Sequence, residues 1–347
     1  MADSEKICVA IRMRPLNERE RNSGQESCFR ALNDDKCVVQ IRDGVELDGH
    51  RHHYDRVFDE FTNTDTVYHN CGEELVASVV KGISGTIFAY GQTSSGKTFT
   101  MTDVTRMASE DIFRHITESE NRQFILKVSF VEIYNENLRD LLSDSVNDTL
   151  NIREDPRRGV YCEATEFGIT SFDDISRALK KGISKRSVES TAMNDQSSRS
   201  HTIFKIYVES RAIDTEESDG AILIASLNLV DLAGSESVRH TGAQGQRAKE
   251  GGKINQSLLS LSRVIHALST PGAHVGYRDS KLTRLLQPSL SGEAKMSVIC
   301  CITPAERFLE ETRSTLAFAS RAKLVTTHAI VNEVLDDAAK IRRLEKV

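Results

Sequence analysis

The stretch Gly91–Thr98 reads GQTSSGKT and matches the pattern GxxxxGK[ST]. It directly follows GTIFAYG, a short apolar run that is typical of a buried strand. In this pattern the glycines let backbone amides surround a polyphosphate, the lysine reaches the outer phosphates, and the last hydroxyl binds Mg²⁺. The sequence therefore predicts a nucleotide site that includes Gly91, Gln92, Thr93, Ser94, Ser95, Gly96, Lys97 and Thr98.

The segments around this loop alternate between strand and helix patterns, which indicates a layered α/β domain. Strands are predicted within KICVAIRMRPL, where the Pro ends the strand, and for ILIASLNLVDLAG and KMSVICCITP. FILKVSFVEIYNENLRDLL is predicted to pass from a strand into a helix. INQSLLSLSRVIHAL has apolar residues at helical spacing, and ETRSTLAFASRAKLV is predicted to be the last long helix.

Composition excludes several classes of protein. The 347 residues are 39% apolar and 28% charged, which favours a soluble globular chain over a disordered one. A net charge of −6 gives no general attraction for nucleic acid, and no apolar run is long enough to span a membrane. The seven cysteines form no CxxC pair, so a reducing cytosolic compartment is expected, without a zinc site or a disulfide framework.

A phosphate-binding loop needs a further carboxylate for its metal ion, and the stretch SLNLVDLAGSE supplies one. Asp231 stands at the end of an apolar strand, where such a residue holds Mg²⁺ through water. Gly234 follows at the spacing DxxG, which lets its amide detect a γ-phosphate. In isolation, the same residues could be an ordinary strand end and turn.

NDQSSRSH (194–201) places hydroxyls and a cation in one predicted loop. Ser198 can contact a metal-bound water or a γ-phosphate oxygen, and Arg199 can neutralise charge or pair with a carboxylate. Composition alone would also allow a solvated serine-rich turn before the strand HTIFKIY.

Four motifs in this order, GQTSSGKT, NDQSSRSH, LVDLAGSE and YRDSKLTRLLQPSL, resemble the kinesin motor domain. The resemblance covers residues 6 to about 335 and is greatest to the kinesin-7 group, which includes centromere protein E. It implies a P-loop NTPase fold with a central, mostly β, eight-stranded sheet and helices on both faces. It also implies a motor domain over residues 1–324, a neck linker over 325–335, and the start of a neck or stalk helix over 336–347.

The same resemblance implies a Mg²⁺-dependent ATPase site. NDQSSRSH would be the first switch and DLAGSE the second. Glu236 would pair with Arg199 over the nucleotide, position the attacking water and accept its proton through a second water. Metal contacts would come from Thr98, Ser198 and Asp231. The catalytic set would be Lys97, Ser198, Arg199, Gly234 and Glu236, and the adenine would meet Arg12, Arg14, Pro15 and Phe99.

The partner that the resemblance implies is the microtubule, whose tubulin surface is acidic. A local basic face on this acidic chain would bind it with an affinity that falls as salt rises, although composition alone allows ordinary solvated charges. A longer chain is expected to form a coiled-coil homodimer, with this stretch alone monomeric. The contacts would be Arg239, Arg247, Lys249, Lys253, Arg278, Lys281 and Arg284.

The neck linker, VTTHAIVNEV, would dock along the body in the ATP state and loosen afterwards. A linker at the C-terminal end of the motor domain implies movement toward the microtubule plus end. The expected location is the cytoplasm, on microtubules or a spindle.

Three features depart from the family pattern. The loop after Met101 is expected to be short, Ser237 stands where an arginine is usual, and Phe99 replaces His or Tyr near the adenine.

Two other functions remain as alternatives. One is a nucleotide-dependent tether that binds microtubules without moving, which the intact set of nucleotide-loop residues disfavours. The other is a GTPase, which is disfavoured because no guanine-reading NKxD motif follows DLAG.

Overall fold

A computed structural model describes most of the chain. The described residues are 5–145, 149–155, 159–192, 198–213, 221–236, 246–270 and 272–334, with the backbone alone for 188–192 and 246–255. None of the described helices has the length and apolar composition that a membrane span requires.

A central mixed sheet organises the fold. Its continuous order contains eight strands, as the resemblance to the kinesin motor domain implies: Phe167–Ile169 (β12), Arg122–Tyr134 (β8), Ser200–Ala212 (β13), Ile222–Asp231 (β14), Gly85–Tyr90 (β7), Lys295–Ile302 (β15), Cys8–Met13 (β2) and Arg56–Phe58 (β6). From β14 to β6 neighbouring strands are parallel, whereas β12, β8, β13 and β14 pair antiparallel. Two short strands, Asn137–Asp140 (β9) and Glu333–Val334 (β17), extend this sheet at β8 and β14.

Helices cover both faces of the sheet because successive side chains of each strand point to opposite faces. In β7, Ile87 and Ala89 belong to one buried cluster, while Phe88 and Tyr90 belong to the other. The first cluster packs under Thr64–Cys71 (α2), Glu73–Val80 (α3), Lys97–Thr117 (α4) and Phe172–Ala192 (α5). The second packs under Gln246–Leu268 (α6), Lys281–Leu285 (α7), Gln287–Leu290 (α8) and Leu309–Ala322 (α9).

The remaining elements are small and lie around this sandwich. A five-residue helix, Glu18–Asn22 (α1), begins with a capping box between Asn17 and Glu20. The other strands form hairpins or short pairs: Glu5–Lys6 (β1), Phe29–Leu32 (β3), Cys37–Arg42 (β4), Val45–His53 (β5), Ile152–Asp155 (β10), Gly159–Cys162 (β11) and Thr326–Thr327 (β16).

The expected short loop after Met101 is wrong, because α4 runs without a break from Lys97 to Thr117. No Gly or Pro interrupts this stretch, and Met101, Val104, Ala108 and Ile112 lie buried at helical spacing. The helix therefore continues where other chains of the resembled family insert a loop.

The predicted helix after the strand FILKVSFVEIY is also wrong. Asn135 and Glu136 have φ values of 54° and 60°, and the chain turns back through them into β9, antiparallel to β8. Two consecutive left-handed residues make the tight turn that joins hairpin strands. The apolar spacing of this segment did not distinguish the returning strand from a helix.

The C-terminal described segment is extended, as the sequence predicts, and follows the sheet. β16 pairs antiparallel with β1, through Thr327 opposite Glu5 and Thr326 opposite Lys6. Further along, the Asn332 amide donates to the Gly82 carbonyl at 2.9 Å, and the Ile224 amide donates to the Asn332 carbonyl at 3.0 Å. Backbone hydrogen bonds therefore hold this segment to the body over several residues.

Candidate functional site

The loop GQTSSGKT lies between the carboxyl end of β7 and the start of α4. Gly91 and Gly96 have φ values of 145° and 101°, a range that L side chains rarely adopt. A Cβ at Gly91 would overlap the Cys301 carbonyl. Gly96, the residue before α4, has no side chain to cap the helix, so the first amides of α4 and the positive end of its dipole are directed at the loop. This backbone is suited to surround an anion.

Lys97 is buried within the loop, with 7% of its surface exposed. Its ammonium donates to the Gln92 carbonyl at 2.8 Å. Burial lowers the pKa of Lys97, although the carboxylates of Asp231 and Glu236 oppose that effect. An anionic phosphate would therefore find a cation that is already desolvated and positioned.

Asp231 ends β14 beside the loop, since β14 and β7 are parallel neighbours. Its Oδ2 accepts from the Thr98 hydroxyl at 2.7 Å. Within the described part of the chain, no donor meets the buried Oδ1 atom. Burial raises the pKa of Asp231, while the Thr98 hydrogen bond and the charges of Arg186 and Lys97 act in the opposite direction.

These residues fit Mg²⁺. A carboxylate oxygen that is buried without a donor suits a metal-bound water, and the Thr98 hydroxyl is the oxygen ligand that the loop pattern predicts. Nowhere in the described ranges do three or more His, Cys, Asp or Glu residues gather as a metal site. The ion would therefore be held by Thr98, Ser198, nucleotide oxygens and water, with Asp231 acting through water.

The loop after β14 is tied to the phosphate loop by backbone hydrogen bonds. The Gly234 amide donates to the Ser198 carbonyl at 2.9 Å, and the Ser235 amide donates to the Gly91 carbonyl at 3.1 Å. Glu236 accepts from the Thr93 amide at 2.8 Å and from the Thr93 hydroxyl at 2.5 Å. Residues 194–197 lie outside the described residues, and the Arg199–Glu236 pair stays a prediction.

A cavity of about 430 Å³ adjoins the loop on the side of β2 and is lined in part by Arg12, Arg14, Pro15 and Phe99. Arg12 donates to the hydroxyls of Thr100 and Thr64, each at 2.9 Å, and its guanidinium lies 5.3 Å from the centre of the Phe99 ring. Phe99 is 65% exposed, so a base could stack on its ring.

Arg14 joins this cavity to the phosphate loop. It donates to the Ser94 carbonyl at 2.7 Å and makes two hydrogen bonds to the buried Glu20 carboxylate, each at 2.7 Å. A second cavity, of about 310 Å³, shares Gly96 and Phe99 with the first and is also lined by Lys97, Thr98 and Ser198. The two cavities together offer one place for a base and one for a polyphosphate.

Comparisons with known proteins agree with this geometry. The family model described as the kinesin motor domain matches residues 12–325. The chain belongs to the kinesin motor-domain family. Kinesin-like protein KIN-7E from Arabidopsis thaliana is 42% identical over all of this chain, and KIN-7N from the same plant is 44% identical over 98% of it. Kinesin-related protein 4 from Dictyostelium discoideum is 44% identical over 98% of the chain.

Solved structures show the same fold. A fast kinesin has a TM-score of 0.86 at 37% identity, covering 96% of this chain and 95% of its own. A KIF14 dimer with AMP-PNP in complex with a microtubule has a TM-score of 0.88 at 33% identity, covering 99% of this chain and all of its own. The chain spans 40% of the length of KIN-7E, 42% of KIN-7N and 18% of kinesin-related protein 4.

The expected microtubule-binding residues of this kinesin motor domain are described only in part. Arg239 lies outside the described residues, and Arg247, Lys249 and Lys253 lie on α6 where only the backbone is described. Arg278, just before α7, has 78% of its side chain exposed and lies 3.4 Å from Glu154 of β10. Arg284 also pairs with Glu154 but has only 15% of its side chain exposed. Lys281 begins α7 and is half-buried.

Two residues at the nucleotide site, Arg186 and His201, were not predicted from the sequence. Arg186 of α5 places its guanidinium 3.9 Å from Asp231 Oδ2 and 3.5 Å from the buried Glu132 carboxylate. No local pattern marks Arg186, because its partners are distant in sequence. The other residue is His201, the last residue of NDQSSRSH, and its place in that motif was a usable signal.

His201 links the loop that follows β14 to α6. Its Nδ1 accepts from the Ala233 amide at 3.0 Å, so Nε2 carries the proton and donates to the Ser257 hydroxyl at 2.7 Å. Burial, together with the charges of Lys97 and Arg186, lowers the pKa of His201 to about 3. The imidazole therefore stays neutral at physiological pH.

Proposed function

We propose that this chain is the ATP-hydrolysing motor domain of a microtubule-dependent kinesin. Three observations support the proposal: the match to the kinesin family over residues 12–325, the Gly91–Thr98 loop with buried Lys97, and the Thr98–Asp231 hydrogen bond. A relative in complex with AMP-PNP and a microtubule supports ATP and tubulin as ligand and partner.

Hydrolysis would depend on positioning and charge. Lys97 and the first amides of α4 would bind the β- and γ-phosphates, and bound Mg²⁺ would neutralise charge that develops on their oxygens. Glu236 and Arg199 would orient the attacking water, and Glu236 would accept its proton through a second water. Gly234 would donate its amide to the γ-phosphate, in exchange for its present bond to the Ser198 carbonyl.

The two loops would then act as switches. Gly234 bonds to Ser198, Ser235 bonds to Gly91, and Glu236 bonds to Thr93, so a shift in any one loop alters the others. His201 joins the same region to α6, the helix that carries part of the expected basic face. A γ-phosphate could in this way bias the position of α6 and change microtubule affinity.

The C-terminal segment 325–334 would be the neck linker in its docked position. Support comes from its backbone hydrogen bonds along the body and from the β1–β16 pair. In this proposal ATP favours docking and product release loosens it, so that the linker directs movement toward the plus end. The whole protein would be a coiled-coil homodimer located on cytoplasmic microtubules, with a transport or mitotic role.

The decisive experiment is steady-state ATP hydrolysis with and without polymerised microtubules at low salt. A stimulation of tenfold or more, equivalent to about 1.4 kcal/mol of barrier, is expected for a coupled motor domain. Slow, unstimulated turnover together with normal microtubule binding would overturn the proposal in favour of a tether. Measuring GTP hydrolysis in parallel would test the GTPase alternative.

A further inference from the structure

One side of the helix that follows the phosphate loop forms a wall of the larger nucleotide cavity. α4 runs unbroken from Lys97 to Thr117, and Phe99, Asp103 and Arg106 are spaced along it at intervals of four and three residues. Residues at this spacing lie on one face of a helix. All three line the cavity of about 430 Å³ beside the loop. A single stripe of α4 therefore borders this cavity.

The stripe leads away from the place where phosphates would bind. Lys97 begins the helix at the phosphate loop, and Asp103 follows it along the same helix. At a rise of 1.5 Å per residue, Asp103 lies about 9 Å along the axis from Lys97 and about 6 Å beyond Phe99. A base stacked on the exposed Phe99 ring would have its phosphates on one side and Asp103 on the other.

Asp103 carries a half-buried carboxylate that the described part of the fold leaves available. Within the described ranges its side chain makes no hydrogen bond and no ion pair. Arg106, the next residue of the stripe, pairs instead with Glu110 at 2.9 Å. Arg12, which lines the same cavity, donates to two threonine hydroxyls. Asp103 is therefore an acceptor that a ligand in the cavity can use.

The chemistry of a carboxylate limits what this acceptor recognises. An ionised carboxylate accepts hydrogen bonds and donates none, so it matches a donor on the ligand. Adenine carries such a donor, the exocyclic 6-amino group, on the part of the ring that is remote from the ribose. In a nucleotide whose phosphates lie at Lys97, this amino group points along α4 toward Asp103.

We propose that Asp103 accepts a hydrogen bond from the 6-amino group of adenine and so makes the site prefer 6-aminopurine nucleotides. The inference rests on the proposed ATPase function, because it concerns the same nucleotide cavity. The phosphate contacts remain with Lys97 and the first amides of α4. The unbroken helix is what places Asp103 in the cavity wall, since a loop inserted after Met101 would displace Asp103 from the stripe of Phe99.

The test compares two nucleotides that differ only at the 6-position of the purine. They are ADP and the diphosphate of purine riboside, which has a hydrogen in place of the amino group. Each competes with a ribose-labelled fluorescent ADP for the intact chain, so the readout is binding and requires no hydrolysis. ADP should bind about tenfold more tightly, the effect of one hydrogen bond to a charged acceptor.

Equal binding of the two diphosphates would overturn the role of Asp103 and leave the proposed ATPase function standing. If the chain bound neither diphosphate nor the fluorescent ADP, the proposed function itself would be wrong, and the inference would be wrong with it. The two failures are therefore distinguishable in one titration.

Substitutions at Asp103 identify the acceptor. Asp103→Ala should bind both diphosphates equally, because no acceptor remains. Asp103→Asn keeps a carbonyl oxygen and should retain a preference for ADP of about threefold, since a neutral acceptor makes a weaker hydrogen bond. Alanine favours helices, so the melting temperature of Asp103→Ala should match that of the wild type. A full preference for ADP in Asp103→Ala would exclude Asp103 as the acceptor.

Asp65→Ala is the matched control. Asp65 lines the same cavity and carries the same charge, but it lies in the first turn of α2 rather than on the α4 stripe. This variant should keep the wild-type preference for ADP. An equal loss of preference in Asp65→Ala and Asp103→Ala would show that the charge of the cavity, and not a contact of Asp103, sets the preference.

A third nucleotide separates contact with the base from contact with the ribose. 2′-deoxy-ADP keeps the 6-amino group and lacks one ribose hydroxyl, so Asp103→Ala should weaken ADP and 2′-deoxy-ADP by the same factor. If Asp103→Ala weakened ADP alone, Asp103 would contact the ribose, and the proposal would be wrong.

Discussion

The nucleotide loop and the C-terminal segment are held by hydrogen bonds of similar length in different surroundings. In the loop, Lys97 bonds to Gln92 at 2.8 Å, and both residues are buried, while Thr98 bonds at 2.7 Å to the buried carboxylate of Asp231. Along the sheet edge, the Asn332 amide bonds to Gly82 at 2.9 Å, next to Val331, which is 46% exposed. Burial makes a lost bond expensive, whereas few apolar contacts allow local opening. The nucleotide loop is therefore suited to holding a fixed geometry. The C-terminal segment is suited to reversible docking on the body.

The largest expected effect comes from a substitution that removes contacts of the nucleotide loop. Glu236→Ala removes the acceptor of both Thr93 hydrogen bonds and the proposed proton path. Turnover with microtubules should fall by about 100-fold or more, about 2.7 kcal/mol of barrier. Binding of a fluorescent ATP analogue should change little, because the phosphate contacts of Lys97 and α4 remain.

Glu118→Ala is the matched control, since Glu118 is an exposed carboxylate after the last turn of α4. It should leave both turnover and binding unchanged. Normal turnover in Glu236→Ala would remove Glu236 from the mechanism, and loss of nucleotide binding would assign it a structural role instead.

The second effect concerns pH and the buried His201. Its folded pKa of about 3 lies below the ordinary value, so the unfolded chain binds the proton more readily. The stability from His201 is complete above about pH 6.5 and falls as pH drops toward 3. Between pH 7 and pH 5 the free energy of unfolding should fall by about 2 kcal/mol from this residue.

Urea unfolding of the wild type and of His201→Gln at both pH values measures this contribution. The variant should be less stable at pH 7 but should depend less on pH. The raised pKa of Asp231 changes the free energy of unfolding with pH in the opposite direction. Because Asp231 is present in both proteins, the comparison between them isolates His201. Identical pH slopes would show that His201 is not held neutral by burial.

A third experiment loosens the C-terminal segment and leaves the nucleotide loop unchanged. Gly82 has a φ of +91°, and a Cβ there would lie 3.1 Å from Val331 Cγ1. Gly82→Ala should cost about 1–2 kcal/mol and displace the C-terminal segment, because an L side chain is strained in this conformation. Amide hydrogen exchange at Asn332 and Ile224 should then become faster.

Gly44→Ala carries a similar backbone penalty without the contact, since Gly44 has a φ of +76° and nothing within 4 Å of a Cβ. It should destabilise the chain without changing exchange at Asn332. If both variants speed exchange equally, the contact with Val331 is not what holds the segment.

The smallest effect is expected at the exposed basic residues. Arg278→Ala should weaken microtubule binding by a few-fold at low salt, and by less at high salt, because exposed pairs contribute about 0.2–1 kcal/mol. Arg177→Ala is the control, with 76% of its side chain exposed and an ion pair to Asp174 on α5. Co-sedimentation with microtubules over a salt series measures both, and equal losses would assign Arg278 no specific contact.

Several elements were predictable because their signals are local. The loop Gly91–Thr98 carries its own conformational requirements in its glycines, and the apolar runs of β7, β14 and β15 are long enough to identify buried strands. The β8–β9 hairpin was not predictable in this way. Its turn uses Asn135 and Glu136 rather than Gly, and its second strand has only four residues.

The sequence by itself determined the family, the phosphate loop and the residue types that nucleotide chemistry needs, since each of these depends on neighbours in the chain. Only the tertiary structure decided which distant groups meet. Thr98 bonds to Asp231, and His201 joins Ala233 to Ser257. These contacts arise where parallel strands and packed helices bring remote residues within a few ångströms, and no spacing along the chain encodes such distances.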